Sequence, residues 1–195
     1  MTILTWIIVL VLAYCVGSIP NGLIFGKMLW NTDLRKHGSG NIGATNAWRV
    51  IGKKAGILIF LLDFLKGVIA VLIASYLIGE PWAMVLAGFM SIVGHVISIF
   101  IQFQGGKAVA TGLGAITVMM PKTALIVFLV WLAIVLITRY VSLGSIIASI
   151  LVPILALVFE YPQPFFSFGV FSATLIVLRH RPNIKRLLNG TENKI

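Results

Sequence analysis

The chain has 195 residues, of which 59% are hydrophobic and only 10% charged, with a formal net charge of +10. Soluble domains carry about a quarter charged residues, so this composition excludes a water-solvated globule and makes lipid the solvent for most of the chain. The single cysteine, Cys15, excludes a disulfide framework, and the basic excess reads as loops on a cytosolic membrane face rather than as a nucleic-acid footprint.

A helical span needs about 20 apolar residues. Candidates fall, in chain order, at 3–26, 55–79, 82–103, 108–120, 122–138, 142–159 and 164–179. The first has no basic region before it and no small-residue cleavage site after it, so it reads as a permanent span rather than a cleaved signal. The loop 27–54, rich in glycine, asparagine and charge, is too polar to cross. Asp63 and Lys66, three residues apart in the second span, predict an ion pair within that helix. His95 in the third span reads as packed against a neighbouring helix. At 1.5 Å per residue, segment 108–120 covers about 20 Å. The hydrocarbon core is ~30 Å thick, so this segment is either a short span or a re-entrant element. In the tail 180–195, Ile184, Leu187 and Leu188 recur at helical spacing around Lys185 and Arg186. That pattern predicts an amphipathic helix lying on the membrane surface, with Pro182 in its first turn. The apolar runs follow one another with almost no polar gap, so residues 1–195 read as one membrane-embedded domain.

Charge placement predicts the topology. With seven transmembrane helices and the N-terminus outside, all of the 15 basic residues except Lys66 and Lys122 face the cytosol, as does the C-terminus. Dropping 108–120 alone would send the basic tail outside, whereas five spans remain consistent if 108–120 and 122–138 both fail to cross. The expected class is therefore an all-α integral membrane protein.

Three polar islands fall on the predicted cytosolic side. The first runs from Gly38 to Arg49: Gly38, Gly40 and Gly43 permit tight turns with exposed N–H groups. Ser39, Asn41, Thr45 and Asn46 add hydrogen-bonding side chains, and Arg49 adds a guanidinium fork suited to phosphate. The glycines match G-x-G-x-x-G, but no βαβ unit surrounds them to make a dinucleotide site. The second island is Gln104-Gly105-Gly106-Lys107. It resembles a Walker A ending, yet the upstream glycine is missing and Ala108 stands where serine or threonine is required. Its glycines nevertheless open a helix whose first N–H groups face the cytosol, beside the mobile charge of Lys107. The third is Arg179-His180-Arg181-Pro182-Asn183, where His180 can exchange a proton or donate to a phosphate. Each island alone reads equally as a basic loop; three on one side point together to phosphate chemistry. His37 reads as a solvated loop residue, and the sequon Asn189-Gly190-Thr191 as a chance match on the cytosolic side.

Other chemistries lack their residues. No Cys/His/Asp cluster has metal-ligand spacing. No Gly-x-Ser-x-Gly elbow occurs, and His95 is followed by Phe100 where an H-x-x-x-x-D acyltransferase needs its acid. The D-x-x-D-G-x-x-A-R pattern of alcohol phosphotransferases is also missing.

The ordered islands carry a resemblance. Gly38-Ser39-Gly40-Asn41 through Asn46 and Arg49, then Gly94-His95, Phe100 and Gly105-Gly106-Lys107, then Arg179-His180 with Asn183, Gly190 and Glu192, closely resemble the bacterial acyl-phosphate:glycerol-3-phosphate acyltransferases over nearly the whole chain. The resemblance implies acyl transfer from acyl phosphate to the 1-hydroxyl of glycerol 3-phosphate at the inner membrane, without cofactor or metal. A soluble partner enzyme would supply the donor, and the acyl chain would enter a groove between spans from the bilayer. It assigns catalytic weight to Ser39, Arg49, Lys107, His180 and Asn183. Ser39, Gly105, Gly106 and Thr45 are expected at the donor phosphate, with Lys107 between the two substrates. Arg49, His180 and Asn183 are expected at glycerol 3-phosphate, and Gly40, Asn41, Gly43, Asn46 and Ser145 complete the expected substrate contacts. No carboxylate lies in the three islands, though Asp33 is nearby in the first loop, so a substrate phosphate oxygen is the expected proton acceptor, with His180 the rival. A transporter of small phosphorylated anions is the competing class; the islands lie at one face rather than the midplane, and no inverted repeat is visible.

Overall fold

The structure, a computed structural model, describes residues 2–195. Among the described residues every regular element is helical. They divide into two compact units, Met1–Ala115 and Ile116–Ile195.

The first unit opens with α1 (Ile3–Ser18) and α2 (Asn21–Trp30). They form one 28-residue apolar stretch interrupted at Ile19-Pro20, where proline has no N–H to continue the helix. The expected span 3–26 is thus longer and broken. Beyond the left-handed cap at Asn31 the chain makes a short 3-10 turn, Leu34–Lys36, and then α3 (Ala44–Val50). The polar loop 27–54 is a folded cap: Leu34 and Ala47 are fully buried against Ala55 and Ile59 of α4 (Lys53–Leu77). α5 (Pro81–Val96) returns beside α4 and packs along α1. Small residues allow that approach: Gly17 lies against the Ser91 backbone and Gly94 against the Tyr14 carbonyl. A 3-10 turn at Ile99–Ile101 leads into the second polar island and α6 (Val109–Met119), which begins in this unit.

The second unit continues with α7 (Pro121–Thr138), α8 (Val141–Val158) and α9 (Gln163–Arg179), packed in sequence order. α10 (Arg181–Leu188) is the predicted tail helix, with Pro182 in its first turn, and it packs on α8 and α9.

Among the described residues, five helical stretches are long and apolar enough to cross a membrane: Ile3–Trp30, Lys53–Leu77, Pro81–Ile101, Pro121–Thr138 and Val141–Val158. α6 and α9 are apolar but shorter, at 11 and 17 residues; α6 covers only about 16 Å. Outer faces are apolar too. Ile3, Leu4, Ile7 and Val11 on α1, and Leu125, Leu129 and Leu136 on α7, are exposed, as lipid-facing positions require and water would penalise. The chain is an all-α integral membrane protein.

Candidate active site

The first island is built around one side chain. Asn46 is 2% exposed. Its amide nitrogen donates to the carbonyls of Leu34 (3.1 Å), His37 (3.1 Å) and Asn41 (2.8 Å). Its Oδ1 accepts from the Ser39 N–H at 2.9 Å. Asn46, expected among the substrate contacts, therefore has its amide committed to holding the loop. Gly38 and Gly40 take φ of 59° and 69°, the left-handed region that favours glycine. The Asn41 Oδ1 closes a turn by accepting from the Gly43 N–H (2.8 Å). This frame presents an exposed Ser39 and a half-buried Thr45 in the first turn of α3, with half-buried Arg49 in its last. Asp33, just upstream, is gripped by Arg35 through both carboxylate oxygens (3.0 and 2.7 Å), with Lys27 at 3.4 Å. The Arg35 guanidinium holds the Asp33 carboxyl well below the usual carboxylate range.

The second island is linked to the first through the start of α2. Gly22 packs on the Ile42 carbonyl of the first island. One residue earlier, Asn21 binds Asp63, which pairs with Lys66 beside His95. Gly106 donates its N–H to the His95 carbonyl at 3.0 Å, and Gly105 lies against the backbone of His95 and Val96. Around these glycines, Gln102, Phe103 and Ala108 hold φ of 54°, 60° and 58°. Three non-glycine residues in the left-handed region make a strained, tightly curled backbone, the kind that gathers N–H groups into an anion-binding concavity. Gly106 is buried and Lys107 half-buried.

In the second unit, the third island centres on a carboxylate. Glu192 Oε1 accepts from Asn183 (2.6 Å) and from the Ser142 hydroxyl (2.9 Å), and its Oε2 from Arg186 (2.7 Å). Burial pushes the Glu192 carboxyl up, but the Asn183, Arg186 and Ser142 hydrogen bonds outweigh it and leave the group below its ordinary value. His180, 2% exposed, joins α9 to α10. Its Nδ1 lies 2.8 Å from the Ile176 carbonyl. A carbonyl only accepts, so Nδ1 carries the proton. Ser145 is buried and donates to the Val141 carbonyl at 2.9 Å.

Three features escaped sequence reasoning. Asn46 looked like one polar residue among several, and only its burial marks it as the post of the loop. His95 packs against a neighbouring helix as expected, but that it and Asn21 reach Asp63 and Lys66 lay beyond within-helix spacing. Glu192 enters the resemblance without a role; it is one of only five acidic residues in a basic chain, and an acid inside a basic tail was the available signal for that role. Among the described residues, no group of three or more His, Cys, Asp or Glu side chains is placed to hold a metal ion.

Comparison with known proteins places these elements in context. The family model for glycerol-3-phosphate acyltransferase matches residues 7–190. A glycerol-3-phosphate acyltransferase 2 of Moorella thermoacetica is 48% identical over 190 residues, covering 97% of each chain. A glycerol-3-phosphate acyltransferase of Carboxydothermus hydrogenoformans is 47% identical over 189 residues, covering 97% of this chain and 96% of the relative. The crystal structure of PlsY, an integral membrane glycerol 3-phosphate acyltransferase, in its glycerol 3-phosphate form superposes with a TM-score of 0.93 at 45% identity, covering 97% of this chain and 95% of that one. Its lysophosphatidic acid form gives 0.89 at 43% identity, with the same coverage.

Proposed function

The chain belongs to the glycerol-3-phosphate acyltransferase family, and on that footing we propose that it moves a fatty acyl group from acyl phosphate to the 1-hydroxyl of glycerol 3-phosphate, giving lysophosphatidic acid and inorganic phosphate. The 1-hydroxyl oxygen attacks the acyl carbonyl carbon, the carbon–oxygen bond to phosphate breaks, and an ester forms as phosphate leaves. The donor is already activated, so the protein works by positioning and by stabilising charge. The observation that carries this reading is the pair of glycine-containing turns in the first unit, with Arg49 and Lys107 next to them in the chain.

Ser39, Thr45, Gly105 and Gly106 hold the donor phosphate; Gly40, Asn41 and Gly43 shape the turn that presents Ser39; Lys107 neutralises charge between the substrates. Arg49, His180 and Asn183 hold glycerol 3-phosphate, supported by Ser145. Residues 1–195 act as one domain in the bacterial inner membrane. Seven helices cross it with the N-terminus outside, so that the site faces the cytosol, where a soluble enzyme delivers acyl phosphate.

The proton goes to a substrate phosphate oxygen. Asp33 is a poor base because Arg35 stabilises its ionised form, and both oxygens of Glu192 are already engaged. His180→Gln tests this: reduced activity with an unchanged pH–rate profile is expected, and loss of one limb of the profile would make His180 the base. A donor-swap assay on purified protein tests the reaction itself. Acyl phosphate is expected to give lysophosphatidic acid and phosphate in equal amounts, with no product from an acyl thioester; product from the thioester alone overturns the donor assignment.

A further inference from the structure

A cluster of buried ionisable groups lies directly beneath the second glycine turn. The side chains of Asp63, Lys66 and His95 are each 4% exposed. Lys66 Nζ lies 2.8 Å from Asp63 Oδ1, which also accepts from Asn21 at 3.1 Å. His95 Nδ1 is 3.8 Å from that oxygen, too far for a hydrogen bond, but 3.3 Å from Lys66 Nζ. An ammonium only donates. Nδ1 is therefore the acceptor and the ring proton sits on Nε2. That nitrogen faces Gly106 so closely that a Cβ added there would overlap it. The His95 carbonyl meanwhile accepts the Gly106 N–H at 3.0 Å.

We propose that Asp63, Lys66 and His95 form a positioning triad for the Gly105-Gly106 turn: His95 holds the turn with its carbonyl and its ring, while Lys66 and Asp63 fix the ring. Ion pairs in apolar spans are costly, and a pair serving helix packing alone would not need a histidine whose outer nitrogen meets a backbone turn. The triad orients Nε2–H toward the turn and keeps the strained backbone around Lys107 in one conformation. The inference rests on the reading that this turn receives the phosphate of the acyl donor.

The test separates reach from fold. His95→Asn keeps an acceptor for Lys66 but is too short to touch the turn; His95→Gln carries a donor to the position of Nε2. His95→Asn is expected to raise the KM for acyl phosphate about tenfold, with kcat, the KM for glycerol 3-phosphate and the thermal midpoint near wild type. His95→Gln is expected to recover most of that loss. A rise confined to glycerol 3-phosphate supports the triad but overturns the donor assignment of the turn. Equal losses of kcat in both variants with unchanged KM, or a lowered thermal midpoint with unchanged kinetics, overturn the triad. A second pair of variants decides the matter if His95→Asn does not accumulate. His95→Ala should restore activity to Gly106→Ala, whose Cβ meets the ring, and not to Gly105→Ala, whose Cβ meets only main-chain atoms of His95 and Val96. Restoration of both or of neither contradicts the proposal.

Discussion

Two side chains, one in each unit, hold local order around themselves, and each makes a separate prediction. Asn46 ties three carbonyls and the Ser39 N–H into one loop. Asn46→Asp keeps the acceptor but removes the donors and places a charge among carbonyls, so it should be no better than Asn46→Ala. Both are expected to lower kcat/KM about a hundredfold, which corresponds to about 2.7 kcal/mol, measured as initial rates on purified protein. Glu192 joins α8, α10 and the tail. Losing a hydrogen-bonded charge there through Glu192→Gln should cost about 2 kcal/mol. Its folded-state carboxyl lies below the ordinary value of 4.5. The contribution is therefore fully present above that value and is lost as pH falls through the lower, folded one. Thermal unfolding of wild type and Glu192→Gln should differ by a constant amount from about pH 5.5 to 8 and converge in acid.

At the level of elements, five of the seven predicted spans end within two residues of an observed helix, because a lipid-facing helix must be apolar along its whole length, whereas 3–26 breaks after Ser18 and the α-helix of 82–103 stops at Val96. Compare 55–79 with Lys53–Leu77, and 164–179 with Gln163–Arg179. Composition could not reveal the folded cap over 31–52, since Leu34, Ile42 and Ala47 are three buried anchors scattered through a polar stretch. The Asp63–Lys66 pair was legible because (i, i+3) spacing acts within one helix; its partners Asn21 and His95 were not, because sequence does not tell which helices meet. The islands were legible as residue types, glycines and cations, but not as frames, since Asn46 and Glu192 act by being buried. Span count makes its own prediction. In a Cys15→Ser background, a cysteine at Lys122 should react with an impermeant thiol reagent in intact cells, and one at Lys194 only after permeabilisation. The reverse pattern contradicts the seven-helix topology with its N-terminus outside.

For the whole molecule, membrane embedding and acyl transfer are one physical problem. In the proposed reaction one product is an amphiphile and the donor carries a fatty chain, so the proposal has the chain enter from the bilayer while the polar turns hold the charged groups. The same turns, with cations beside them, would also suit a carrier of small phosphorylated anions, and the two readings diverge in a single preparation. Sealed liposomes containing the purified chain, acyl phosphate and labelled glycerol 3-phosphate should yield labelled lysophosphatidic acid and an equal amount of inorganic phosphate, with no protein-dependent phosphate flux across the membrane. Phosphate flux in the absence of any lysophosphatidic acid would contradict the account.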